Sequence, residues 1–175
     1  MRKSIDLEHA AVKDIAEFMA VAARTAPKTR GIDNIETIVI DISAERDKLI
    51  SRMEELSAKL NKPSMLRDAG SIKESPQIIV IGVRSVPAGL DCGFCGYPAC
   101  KDLAKSGGVC AYNSIDLGIA VGSAVSVAAD FRADNRVMYS IGKASMDLGF
   151  FGKDVKQALG IPLSVTGKSP FFDRK

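Results

Sequence analysis

Cys92, Cys95, Cys100 and Cys110 are all the cysteines of the chain, and they fall in one stretch with the spacing C-x2-C-x4-C-x9-C. Thiolate sulfur is the ligand of 4Fe-4S clusters, which are held by four cysteines, the first of them close together in a loop. Gly93 and Gly96 sit beside ligand positions. A residue without Cβ takes positive φ there and lets backbone N–H groups point at cluster sulfurs. Three other chemistries compete for these thiols. Structural zinc commonly takes two close pairs, whereas the second half here is C-x9-C. Two disulfides need an oxidising compartment. A reactive dithiol at Cys92 and Cys95 would open a helix and leave Cys100 and Cys110 without a role. The spacing favours the iron–sulfur cluster, with zinc as the alternative. His9, the single histidine, has no second imidazole to pair with and reads as a surface or core residue of the first helix.

The rest of the chain must position that site. At 175 residues it suits one domain over 1–175, with the cysteines in a loop module over 86–112. Hydrophobic content of 46% and charged content of 26% are those of an ordinary globular protein able to bury a core. The net charge of +3 comes from scattered Lys and Arg, unlike the clustered basic face of a nucleic-acid module, so no nucleic-acid partner is expected. Asp6, Glu8, His9, Lys13 and Asp14 interrupt any apolar leader core, and the expected location is the cytoplasm. The longest uncharged run, 117–129, is short of the roughly 20 residues a bilayer needs, so no membrane span is expected.

Periodicity gives the elements. Leu7, Ala11, Ile15, Phe18, Met19 and Ala22 predict an amphipathic helix over 5–24. A polar loop follows, and the β-branched run 37–40 reads as a strand buried on both faces. Ser43 is placed to cap a helix over 44–60 with Leu49, Met53, Leu56 and Leu60 inward. Residues 61–76 read as a connection with a helical turn at 64–69. The run 77–83 is the strongest strand signal, and it leads directly into the cysteines. Gly118, Ala120 and Gly122 predict a helix over 114–130 that a neighbour approaches closely. Asp134 or Asn135 is placed to cap a helix to 148, and 153–159 reads as a short last helix. The tail 161–175 reads as extended, crossing to a partner subunit.

The segment Leu90-Asp91-Cys92-Gly93-Phe94-Cys95-Gly96-Tyr97-Pro98-Ala99-Cys100, continued by Gly108-Val109-Cys110-Ala111, Ile115-Asp116-Leu117-Gly118-Ile119-Ala120 and Asp134-Asn135-Arg136-Val137-Met138-Tyr139-Ser140-Ile141-Gly142, resembles the family of uncharacterised bacterial and archaeal proteins containing a ferredoxin domain. The cysteine part is also similar to the 4Fe-4S module of corrinoid iron–sulfur proteins. The resemblance makes Cys92, Cys95, Cys100 and Cys110 the cluster ligands. Ala22-Ala23-Arg24-Thr25-Ala26-Pro27 with the strand after it, and Asp147-Leu148-Gly149 with Val155-Lys156-Gln157-Ala158-Leu159-Gly160-Ile161-Pro162, are similar to the nitroreductase family. Those proteins are α+β homodimers that bind FMN at the subunit interface. That likeness implies an α+β, nitroreductase-like sheet-and-helix domain with an inserted cluster loop, a homodimer, and FMN with Arg24, Lys28 and Arg30 as candidate contacts. Together the resemblances imply a redox protein passing single electrons to a flavin or a protein partner. The alternative is a non-enzymatic protein with a structural metal site.

Overall fold

The run Ile78-Ile79-Val80-Ile81 has no polar alternation, which demands a strand with both faces covered. In the computed structural model, which describes residues 1–172, that strand lies inside a four-stranded antiparallel sheet. The strands are β1 (Ile35–Ile40), β2 (Gln77–Arg84), β3 (Asp134–Asn135) and β4 (Val155–Ser164), in the order β1-β2-β4-β3. Helices cover both faces. Ile79, Ile81, Val83, Ile161 and Leu163 pack on α1 (Ser4–Thr25) and α5 (Ala111–Asp130). Ile78, Val80, Val155 and Ala158 pack on α2 (Ser43–Leu60), α3 (Pro63–Ser71) and α6 (Tyr139–Asp147). Alternate side chains of one apolar strand thus feed two separate cores, as the period of two requires. A short helix, α4 (Cys100–Ser106), lies between β2 and α5.

Several local expectations are corrected. The run 37–40 is part of β1, which stands at the edge of the sheet with Ile35 and Ile40 buried and the residues between them half-buried. The inward face of α1 is Val12, Ile15, Ala16, Met19 and Ala23, while Leu7, Ala11 and Phe18 are exposed. Those five inward residues share one core with Ala120, Ala124 and Ala128 of α5. Phe18 instead stacks on Phe131 at the rim, 5.9 Å between centroids. Gly118 and Gly122 are exposed, and nothing among the described residues lies within 4 Å of a Cβ built on either. The small residues that α5 buries are Ala120, Ala124 and Ala128. Ser43 begins α2 without making a side-chain cap bond, and Leu60 is exposed. The expected turn at 64–69 is a full helix, started by Pro63 at a position where its missing N–H costs nothing.

The largest correction concerns 153–164. A Lys-Gln-Ala run with Gly160 behind it suits a helix, yet it forms β4, paired with β2 from Arg84↔Val155 to Gln77↔Leu163. Tertiary pairing overrides a weak propensity. Pro162 is tolerated in this inner strand because of what lies beside it. Gly160 exchanges both backbone bonds with Met138, 2.8 and 3.0 Å, so Pro162, two residues on, faces the same neighbour without an N–H to give. The ladder stops there, which confines β3 to two residues and leaves Met138↔Gly160 as an isolated bridge. Asp134 and Asn135 accordingly lie in a strand, and α6 begins at Tyr139. Residues 161–164 of the expected tail belong to this chain's own sheet and Phe171 is buried; 173–175 lie outside the described residues. No single helix among the described residues is long and apolar enough to cross a membrane; α4 and α5 pass that test only together, across an 82° bend.

Candidate functional site

The end of β2 is pinned before the chain turns into the cysteines. Ser85 N–H donates to the Asp154 carbonyl at 2.8 Å, Ser85 Oγ to the Gly108 carbonyl at 3.2 Å, and Val86 N–H to Asn113 Oδ1 at 3.1 Å. Further out, Arg30 Nη1 donates to the Ala88 carbonyl at 2.7 Å. Within the loop, Gly96 N–H donates to the Gly93 carbonyl at 2.9 Å, with both glycines at positive φ, 86° and 70°. Asp91 Oδ1 accepts from Cys100 N–H at 2.6 Å and so caps α4 from nine residues away. Leu103 of α4 is fully buried and anchors the far side of the loop.

This scaffold brings all four cysteines to one small cavity of about 10 Å³, walled also by Leu90, Phe94, Tyr97 and Tyr112, room for about one water. Cys92 is exposed, Cys95 and Cys100 are half-buried, and Cys110 is buried at the N-cap of α5. Phe94 and Tyr112 meet at 5.7 Å. A negatively charged group at this place is favoured by the α5 N-terminus. Among the described residues no three His, Cys, Asp or Glu side chains converge tightly enough to hold a single ion. The donor set of four thiols in an apolar shell fits an iron–sulfur cluster by its chemistry. Asp91→Ala should release the Cys100 amide at a cost of about 1 kcal/mol. The expected reading is faster amide exchange confined to 99–106, with β2 and β4 unchanged.

Arg24, Lys28 and Arg30 each hydrogen-bond within their own chain. Arg24 donates to Asp33 and, at 2.8 Å, to the Ile35 carbonyl. Burial acts to raise the Asp33 carboxyl, but the hydrogen bonds from Arg24 and the Ile35 N–H, with the charges of Arg24 and Lys28, hold it below its ordinary value. Lys28 Nζ donates to the Ala23 carbonyl at 2.9 Å and to the Arg24 carbonyl, closing the end of α1. Arg30, at φ 59°, reaches the cysteine loop as described. Each of the three thus has a backbone partner in its own chain. His9 is exposed.

Asp91, Asn113 and Asp116 were not singled out by spacing, although they set the geometry around the cysteines. Asp116 is 3% exposed, and its Oδ1 accepts from Thr29 N–H at 3.0 Å and Thr29 Oγ1 at 2.8 Å, tying the 29–31 turn to α5. The available signal was two polar residues three apart, at 113 and 116, on the inward face of an otherwise apolar helix.

The profile of a family described as "uncharacterized protein containing a ferredoxin domain" matches residues 106–174, a span that includes Cys110 but not the three earlier cysteines. An uncharacterized protein of Archaeoglobus fulgidus is 42% identical over 178 aligned positions, covering 97% of this chain and 95% of that protein. Among solved structures, a nitroreductase with bound FMN from Bacteroides fragilis superposes with a TM-score of 0.64 at 10% identity, over 93% of this chain and 81% of the other. A nitroreductase family protein from Clostridium novyi gives 0.63 at 17%, over 87% and 74%. At such identities the likeness is one of fold, and the fold is nitroreductase-like.

Proposed function

This chain belongs to the family of uncharacterized proteins containing a ferredoxin domain, and from that premise we propose that it is an iron–sulfur redox protein. In this reading Cys92, Cys95, Cys100 and Cys110 hold one 4Fe-4S cluster in the 86–112 module. The observation that carries the reading is the arrival of all four thiols at one cavity inside an apolar wall. A bound cluster supplies one-electron transfer. The chain's own residues do the rest: Asp91 and Asn113 hold the loop in place, and Phe94, Tyr112 and Leu90 border the thiols with apolar surface.

FMN is the second cofactor of this proposal, supported by an FMN-bound neighbour of the same fold. The working unit is a homodimer in the cytoplasm that exchanges electrons with a protein partner. Exposed Phe18 and Val21 on α1, Ile115 and Ile119 on α5 and Phe131 just after it support a second copy covering these helices. Anaerobic purification tests the reading. The expected product is a brown dimer with about four iron and four sulfide per chain, bleached by dithionite, with FMN released on denaturation. A colourless protein with one zinc per chain would replace the redox reading with a structural metal site.

A further inference from the structure

The cavity that best suits an anion is far from the cysteine loop in the sequence. It lies between α3, the end of β4 and the following tail, and measures about 720 Å³. Arg67, Arg136 and Lys168 line it, against Glu74 as the carboxylate of the wall. Arg136 is held in one orientation. Its Nη1 donates to the Phe171 carbonyl at 2.8 Å, and its guanidinium lies 5.1 Å from the Phe172 ring centroid. A guanidinium carries five donors, and no carboxylate among the described residues pairs with that of Arg136. Arg67 pairs with Asp68 at 2.7 Å, and the other Asp68 oxygen is taken by Ser140 Oγ at 2.6 Å.

Hydroxyls complete the wall. Ser71, Ser75, Ser164 and Thr166 all border the cavity. Ser164 Oγ and Thr166 Oγ1 lie 3.1 Å apart. Ser75 is 3% exposed, and its Oγ has no hydrogen-bond partner among the described residues, a state that ordinarily costs about 1–3 kcal/mol. A cavity bordered by two guanidinium groups, one of them without a carboxylate partner among the described residues, calls for an oxyanion. Two guanidinium forks and several hydroxyls match a phosphate. The volume lies in the range of organic-ligand sites, roughly 300–1,000 Å³, and Pro170 and Phe171 offer apolar surface for the remainder of the molecule.

The geometry points to a binding site for a small phosphate monoester, with Arg136 and Arg67 on the phosphate. FMN is one member of that class, so the inference overlaps the flavin proposal without depending on it. Calorimetric titration of the purified full chain with adenosine 5′-monophosphate and with FMN, each beside its dephosphorylated parent, tests it. Expected are at least about tenfold tighter binding of an ester than of its parent, and at least about tenfold loss in Arg136→Gln and in Arg67→Gln, as charge-assisted bonds imply. Lys13→Gln, on the exposed side of α1, should leave the affinity unchanged. Arg136 also braces the tail, so if Arg136→Gln does not fold, Arg67→Gln, at the surface, decides. Arginine-dependent binding of adenosine monophosphate without FMN binding would support the site and overturn the flavin proposal. FMN binding that ignores both arginines would overturn the site and leave the flavin standing. Failure of both esters to bind overturns the site.

Discussion

Cys92→Ser and Cys110→Ser are each expected to abolish iron and sulfide binding while leaving the far-ultraviolet circular dichroism essentially unchanged. The two positions bracket the site, one exposed and one buried, so equal losses would mark a common group and not a local defect. The dichroism should hold because neither apolar core contains a residue between Val83 and Leu117. Stability resides in the sheet and the helices on its two faces, and the cysteine loop stands beside them. A serine variant that kept full iron and sulfide would remove that residue from the ligand set. Global loss of the helical signal would mean instead that the metal group is a structural staple, as in domains that fold only with metal.

Gly142→Ala should be the most destabilising single-methyl change in the chain. Helix α6 lies flush on β4, and a Cβ at Gly142 would overlap the Ala158 carbonyl and come within 2.8 Å of Leu159 N. Those atoms are backbone of β4 where it is paired with β2, so relief of the overlap needs a shift of the strand or of α6. Overpacking costs typically about 1–3 kcal/mol and more where nothing can relax; a loss of about 3 kcal/mol or more is expected here, with Tm lowered by roughly 6–12 °C. Gly122→Ala is the control. It sits in a helix with open space around the added methyl and should be neutral or stabilising by up to about 1 kcal/mol. Equal Tm values for the two variants would refute the close contact of α6 with β4.

The same contact shows why the sequence was readable in some places and not in others. β2 was visible because its residues have two covered faces and carry the signal in their own composition. Val155–Ser164 was not, because its lysine, glutamine and alanine suit a helix in isolation, and only the ladders to β2, β3 and Met138 make it a strand. The inward face of α1 was misjudged for a related reason. Periodicity marks an apolar stripe, but the packing partner decides how the helix is rotated about its axis, and α5 and the sheet receive Val12, Ile15, Ala16, Met19 and Ala23.

What the sequence determined by itself about this protein is the donor set and its neighbourhood: four thiols, the glycines between them, and a buried strand leading into the loop. Ligand type and short spacing are local properties, and they survive without knowledge of the fold. The tertiary structure alone decided that Cys110 sits at the head of α5, that Asp91 reaches Cys100 and Asp116 reaches Thr29, and that Arg24, Lys28 and Arg30 bond to their own backbone. It alone placed Arg67 and Arg136, 69 positions apart by number, on one cavity wall. Such contacts join residues distant along the chain, and what brings them together is the order in which four antiparallel strands pair.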